Sequence, residues 1–395
     1  MAPRIGIGIS APTKNFIKKI NARLALPLGK TSNLQKTCVS SFGESSLSKI
    51  LKIRNDRMKR YKWFNKADEI TLFDAIVDEE NLRIAHMKAS KGKKHYKEVK
   101  MVDSNIDYYI KQIREMLING TYKVSPYEVF EKKENGKTRV IYKLPYYPDR
   151  IIQWAVLLVI APILEKRFVK HTYSSIKNRG QHKCLHDVQK ALIRDKEKYC
   201  LKLDIKKFYP SINHDILKNQ YRQIFKDEDL LNLINLTIDS VPETEGVPIG
   251  NYLSQYSGNL YLTDFDHWLK EEKKIKNVYR YMDDVVILSN SKEELHRLFR
   301  DIEIYLKDNL KLTIKPNYQI FPIEKRGIDF VGYRIFPQYT LVRKRIVKKF
   351  KKMFKRIDLD SPSYHDKCSY WSYHGIFIHA NSYNLRRKYK LEVDK

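Results

Sequence analysis

Two adjacent acids, Asp283 and Asp284, stand between Val278-Tyr279-Arg280, which reads as a polar strand, and the apolar strand Val285-Val286-Ile287-Leu288. Carboxylates set among β-branched and apolar residues are costly without a partner, because an ionised acid is rarely buried alone. A divalent cation is the natural partner. A third acid lies upstream in Leu201-Lys202-Leu203-Asp204-Ile205, where alternating apolar residues predict a strand that ends at Asp204. Two carboxylates about 4 Å apart repel by about 4 kcal/mol at an effective dielectric of about 20, so they share a site when metal ions neutralise them. Hard oxygen ligands of this kind select magnesium or manganese.

The elements that must carry these acids are written on either side of them. Strands around Asp204 and Asp283, helices from Ile151 to Arg194 and a helix from Lys292 to Leu306 predict an α+β fold. Upstream, the strand-like runs Tyr127 to Phe130 and Thr138 to Tyr142 are joined through Asn135-Gly136, a hairpin signal. The longest apolar run, Trp154 to Leu164, is flanked by Arg150 and Lys166-Arg167 and is too short to span a bilayer, so a buried helix is expected. From Val342 to Arg356, nine of fifteen residues are Lys or Arg, while Ile346, Phe350, Met353 or Phe354 and Ile357 recur at helical spacing. That is an amphipathic helix with a cationic face, a pattern shared by phosphate-binding and membrane-surface helices.

A chain of 395 residues with 42% hydrophobic side chains builds a real core, and 76 basic against 46 acidic residues leave a formal charge of +30. That excess calls for a polyanionic partner, and the 27 tyrosines and 16 phenylalanines favour nucleic acid, whose bases stack on aromatic faces. Residues 1–43 contain no acid, which fits a basic arm on nucleic acid or a transit peptide. Gly29-Lys30-Thr31 has the ending of a P-loop but lacks its first glycine, Leu24 standing there. Lys88 to Lys100 is a second basic segment, suited to phosphate contact. Cysteines 38, 184, 200 and 368 form no C-x-x-C pair, so a reducing interior and no zinc site are expected. His182 and His186 stand four apart, but no Glu follows His182, so a positioning or packing role is expected.

Tyr281-Met282-Asp283-Asp284, with the upstream segment Asp204 to Tyr209, resembles the palm of reverse transcriptases. The resemblance continues in order through Pro148-Asp149-Arg150-Ile151, Asn178-Arg179-Gly180-Gln181-His182, Pro248-Ile249-Gly250 to Ser254-Gln255, and Gly327-Ile328-Asp329-Phe330-Val331-Gly332-Tyr333. Together these cover most of residues 67 to 385, and the tail motifs at Ser372 to Gly375 and His379 to Tyr383 fit the reverse transcriptases of diversity-generating retroelements. The resemblance implies a right-hand polymerase with an antiparallel palm sheet and a helical thumb: 1–66 a basic N-terminal extension, 67–200 fingers, 201–335 palm and 336–395 thumb. It implies RNA-directed DNA synthesis with magnesium, or manganese, and deoxynucleotides, in the cytoplasm of a bacterial or phage-infected cell and away from membranes. Its partners are a structured template RNA, a DNA or RNA primer with its cDNA, and a small basic oligomeric accessory variability protein. The chain ends soon after the thumb, leaving no room for an RNase H or homing endonuclease domain.

By the same resemblance, Asp204 and Asp283 bridge two metal ions, Asp284 supports them, and the backbone carbonyl of Ile205 completes the nucleotide-side ion. Arg139 and Arg150 match fingers residues that grip a triphosphate, although either also suits a fingers salt bridge. Tyr209 takes the position of the steric gate against a ribose 2′-hydroxyl. Ile249 and Gln255 complete the nucleotide site and depart from group II intron and retron relatives, which carry Gln and Pro there. An apolar Ile249 gives up polar complementarity with the paired bases, so the resemblance implies lowered fidelity at template adenines. Arg343, Lys344, Arg345, Lys348, Lys351, Lys352 and Lys355 supply the thumb face toward the template–primer duplex. The family's lysine after the proline is missing, since Asn317 follows Pro316, and Lys315 is the adjacent substitute for the acid that serves pyrophosphate. The rivals are a retron or antiviral reverse transcriptase and a non-catalytic RNA-binding scaffold.

Overall fold

The computed structural model describes residues 71–389, apart from Asn135, Pro242 and Leu359. The basic arm over residues 1–66, the Gly29-Lys30-Thr31 tripeptide, Cys38 and the Asn135 half of the expected turn lie outside the described residues. The described chain divides into two units between Ile323 and Glu324.

In the first unit, the Thr71 hydroxyl accepts from the Asp74 amide at 3.0 Å while the Asp74 carboxylate accepts from the Thr71 amide at 2.9 Å, a reciprocal cap that starts helix α1 (Leu72–Val77). Helices α2 (Glu79–Ala89), α3 (Lys97–Ser104) and α4 (Ile106–Ile118) follow. Strands β1 (Glu128–Glu134) and β2 (Lys137–Lys143) pair antiparallel from Glu128 opposite Lys143 to Glu134 opposite Lys137. Helix α5 (Ile151–Arg167) is apolar on every side because it is surrounded, with Ile152, Ala155, Val156, Val159 and Ile160 all buried and α1 and α2 packed on it. With the preceding turn from Tyr146, it is long and apolar enough by composition to cross a membrane, which corrects the reading from Trp154 to Leu164 alone; more than half of that span is buried inside the protein.

The remainder of this unit builds the sheet that carries the acids: β3 (Thr172–Tyr173), α6 (Gln181–Asp195), β4 (Tyr199–Asp204), α7 (His214–Ile224), α8 (Glu228–Ile238), α9 (Tyr252–Tyr261), α10 (Thr263–His267), β5 (Val278–Tyr281), β6 (Asp284–Ser289), α11 (Lys292–Leu310) and β7 (Gln319–Pro322). The strand order is β3-β5-β6-β4-β7. All pairs are antiparallel except β3 with β5, so the expected antiparallel sheet has one short parallel edge. Strand β5, read in sequence as a polar strand, is enclosed: Val278, Tyr279 and Arg280 are all buried. Helix α11 starts at the Ser291 cap, buries Leu295, Leu298, Ile302 and Leu306, and runs on to Leu310.

The second unit contains β8 (Ile328–Phe330), β9 (Tyr333–Ile335) and β10 (Thr340–Val342), joined in an antiparallel sheet, then α12 (Lys344–Phe354), α13 (Tyr364–Phe377) and α14 (Tyr383–Lys388). Val331 and Gly332 form the β8–β9 turn with φ of 41° and 90°, the left-handed pair that matches strand twist; glycine adopts it freely and valine does not. The Gly327 to Tyr333 motif lies in this unit, where β8 pairs with β9 and β9 with β10. Phe350 anchors this unit, fully buried with its ring 5.0 Å from Phe377, 5.3 Å from Tyr373 and 5.1 Å from Tyr389.

Candidate active site

The acids converge because of strand register. Strand β4 lies beside β6 with Asp204 directly opposite Asp284, and opposite residues of an antiparallel pair share one face. Strands β5 and β6 pair up to Tyr281 opposite Asp284, leaving Met282 and Asp283 as a two-residue turn. Met282 has φ of +56°, which throws Asp283 back toward β4, and the Ile205 amide donates to the Asp283 carbonyl at 3.2 Å. The Asp283 carboxyl consequently lies within hydrogen-bonding reach of Asp204. Burial and that neighbouring charge hold its affinity for a proton above the ordinary carboxylate range. Burial likewise pushes the Asp284 carboxyl up to about 7, against the opposing pull of Lys202.

Two lysines compensate part of this charge. The Lys315 ammonium hydrogen-bonds to Asp204 Oδ1, and the Lys315 amide donates to the Asp204 carbonyl at 2.9 Å. Lys202, two residues before Asp204 on β4, stands 3.5 Å from Asp284. Among the described residues no three acid, His or Cys side chains form a ready-made metal cage. Two acids meet, while Asp284 is drawn to Lys202 and keeps its Oδ1 buried without a hydrogen-bond partner. The donor set still fits a hard divalent cation: all the ligands are oxygens, two carboxyls press on each other, and one buried oxygen is unsatisfied.

Other expected residues surround this pair to different degrees. Tyr209 is half-buried, with burial and the Asp283 charge raising its phenol above the ordinary range. A Cβ on Gly258 of α9 would come within 3.4 Å of its ring and 3.5 Å of Met282 Sδ, so the glycine seats both against the site. Arg139 is exposed on β2, near enough for its charge to act on Tyr209. Strand β2 is also tied to the Pro248-Ile249-Gly250 loop, since the Tyr142 amide donates to the Ile249 carbonyl at 3.0 Å. Ile249 is half-buried. Gln255 is exposed on α9 and accepts from the Ser175 hydroxyl at 2.9 Å, one helical turn before Gly258. The Arg150 Nε donates to the Leu144 carbonyl at 3.2 Å, and among the described residues no salt bridge to Arg150 is seen. Ile205 is fully buried.

In the C-terminal unit, Lys344, Arg345, Lys348, Lys351 and Lys352 are exposed on α12, and Lys355 is exposed at its C-terminal cap. Arg343 differs, because it is paired with Asp329 at 2.6 Å, so its charge is answered within the unit.

Sequence reading overlooked two parts of the site. Lys202 sits one strand period from Asp204, a spacing that could have marked it as a same-face counter-ion. Arg280 reads in sequence only as part of a polar strand, yet its side chain is 1% exposed and it grips Asp266, itself 5% exposed. The signal available was its place between Tyr279 and Tyr281 in a strand that leads to buried β6.

The model of the reverse transcriptase (RNA-dependent DNA polymerase) family matches residues 130–335, more than half of the chain, and spans Arg139, Asp204, Tyr209, Ile249 and Asp283. Protein YkfC of Escherichia coli K12 is 24% identical over 289 residues, which are 62% of this chain and 74% of that protein. The group II intron-encoded protein LtrA of Lactococcus lactis subsp. cremoris is 23% identical over 61% of this chain, which spans about half, 52%, of LtrA. Among solved structures, apo telomerase from Candida tropicalis truncated from its C-terminal domain aligns with a TM-score of 0.42 at 13% identity, covering 60% of each chain. The chain belongs to the reverse transcriptase family of RNA-dependent DNA polymerases.

Proposed function

We propose that Asp204 and Asp283 are the metal-holding acids of RNA-templated DNA synthesis, and that this enzyme is the error-prone polymerase of a diversity-generating retroelement. The convergence of two carboxyls, Asp204 at the end of β4 and Asp283 on the β5–β6 turn, with no fixed cation adequate to neutralise both, carries the first part. In the reaction a primer 3′-hydroxyl attacks the α-phosphorus of a deoxynucleoside triphosphate, and the bond to pyrophosphate breaks. Two magnesium ions, when bound, would make the hydroxyl nucleophilic and stabilise the leaving pyrophosphate. Asp204, Asp283 and the Ile205 carbonyl would hold them, and Asp284 would support the arrangement through its balance with Lys202. Tyr209 stands beside the acids as the ring against which a ribose 2′-hydroxyl would clash. The Arg139 guanidinium, whose planar fork suits phosphate oxygens, clamps the triphosphate. Residues up to about 200 serve as fingers, those from 201 to 335 as palm and those from 336 as thumb. Its cationic α12 binds the sugar–phosphate backbone of the template–primer duplex without reading sequence.

Asp204→Asn and Asp283→Asn should each abolish primer extension on an RNA template while leaving RNA binding intact. Substantial synthesis by either variant in magnesium would overturn the assignment.

The mutagenic part rests on Ile249, an apolar side chain where accurate relatives carry a hydrogen-bonding one. A mispair that leaves no polar group unsatisfied loses little, and restoring such a group by Ile249→Gln should improve discrimination by about tenfold to a hundredfold, most clearly opposite template adenines. A structured template RNA and a small basic accessory protein complete this proposal. The similarity to LtrA favours a second reading, a polymerase of group II intron type. Product sequencing separates the two, because an enzyme already accurate at adenine leaves only the second.

A further inference from the structure

We propose that Arg280 is a positioning residue that holds the Met282-Asp283 turn in its productive shape, acting through the backbone of Met282 rather than on substrate. The inference rests on the reading that Asp283 and Asp204 hold the metal ions.

The side chain of Arg280 is fully enclosed, and its guanidinium reaches three different structures at once. Its Nε donates to Asp266 Oδ1 at 2.8 Å and to Oδ2 at 3.0 Å, and one terminal nitrogen donates to Asp266 Oδ2 at 2.5 Å. These bonds fix the fork to α10. The other terminal nitrogen donates to Asn259 Oδ1 of α9 at 3.3 Å and to the Met282 carbonyl at 3.0 Å. Asp266 is held in turn by the Thr172 hydroxyl of β3 at 2.9 Å, and Asn259 Nδ2 donates to the Ser174 carbonyl at 3.1 Å. Every member of the group is therefore braced from a second direction.

Stability alone is a poor explanation for this arrangement. A buried ion pair recovers its desolvation cost only with excellent geometry, and a well-packed apolar pair of the same volume often stabilises as well or better. What an apolar pair cannot do is donate a hydrogen bond to the Met282 carbonyl. Met282 occupies the left-handed region at φ +56°, where a residue with a Cβ stays only if its surroundings over-determine it. The Arg280 bond acts on the peptide that joins Met282 to Asp283, so it sets the direction in which Asp283 leaves the turn. Lysine would preserve the charge but lacks the planar fork that spans Asp266, Asn259 and Met282 together.

The test compares wild type, Arg280→Lys, the double variant Arg280→Met/Asp266→Leu, and Asp283→Ala. The readings are thermal unfolding, single-nucleotide kinetics on an RNA template, and Mn2+ affinity by electron paramagnetic resonance without nucleic acid. The double variant replaces the ion pair with apolar volume, so its unfolding temperature should stay near that of wild type. Its kcat should fall about tenfold to a hundredfold, the effect of a displacement near 1 Å at a reacting centre, with the deoxynucleotide KM little changed. Its Mn2+ dissociation constant should rise by a comparable factor. Should the double variant not fold, Arg280→Lys should show the same loss of kcat and Mn2+ affinity in a folded protein. A folded double variant, or a folded Arg280→Lys, with wild-type kcat and Mn2+ affinity would overturn the proposal and reduce Arg280 to packing. Asp283→Ala tests the underlying reading by itself: if it keeps synthesis and Mn2+ affinity, the metal assignment fails, whatever the Arg280 variants do.

Discussion

Gly250→Ala should impair nucleotide selection through a steric path visible in the fold. Gly250 has φ of +127°, and a Cβ built there would lie 2.6 Å from the Tyr142 carbonyl oxygen of β2. Carbon and carbonyl oxygen approach to about 3.3 Å at closest in favourable contacts, so one of the two segments must retreat by roughly 0.7 Å. The backbone conformation itself costs a non-glycine residue about 1–3 kcal/mol. The cheaper relief is a shift of β2, which loosens the 3.0 Å bond from the Tyr142 amide to the Ile249 carbonyl and carries Arg139, three residues earlier on the same strand, out of place. A misplacement approaching 1 Å of a substrate-gripping group costs up to about a hundredfold in rate, so kcat/KM for the correct deoxynucleotide should fall about tenfold to a hundredfold, mostly through KM. Single-turnover addition of one nucleotide to a primer on RNA measures this directly. The decisive comparison adds Arg139→Ala: if Gly250→Ala acts by moving Arg139, the double variant is no worse than the more damaged single variant. Strictly additive losses, or an unchanged KM in Gly250→Ala, would refute the coupling of this loop to the hairpin.

Tyr209→Ala should raise incorporation of ribonucleotides relative to deoxynucleotides, and an unchanged preference would return the ring to a packing role. Replacing Lys348, Lys351, Lys352 and Lys355 with Gln should make the salt dependence of template–primer binding shallower, because each phosphate neutralised contributes up to about 0.9 to the slope of log affinity against log salt. An unchanged slope would turn that face toward a different partner. Burial, aided by Lys270, lowers the His171 imidazole to about 4 from 6.5, and its Nδ1 is buried without a hydrogen-bond partner, while its ring stacks on Tyr279 at 4.8 Å. A histidine with a depressed folded-state pKa lends stability that is complete above about pH 6.5 and lost as pH falls toward 4. His171→Phe should therefore flatten the decline of unfolding temperature across that window, and an equally steep decline would show that other groups carry it.

Much of this protein is legible in short stretches of chain, because the causes are local. Alternation over Leu201 to Asp204 ends a strand at the acid, the runs on either side of Gly136 make a hairpin, and the spacing of Ile346 and Phe350 gives α12 its cationic outer face. The pairing of Asp204 with Asp283 follows from motif order only through resemblance; the contact itself depends on β4 lying beside β6 in one register, which no local pattern encodes. The same holds for the partners that set each charge. Arg343 appeared as one cation of a basic run, but the β8–β9 turn brings it to Asp329. Arg280 reads as one residue of a polar strand, but α9 and α10 supply Asn259 and Asp266 to enclose it. Spacing puts Lys202 on the Asp204 face of β4, but only the pairing of β4 with β6 sets it against Asp284, and only the fold brings Lys315 to Asp204. Residue type and spacing determined which groups could do chemistry. Tertiary structure decided which charges meet, because a charge in a protein is answered by whatever folds nearest to it, and nearness between distant segments is a property of the sheet and its covering helices.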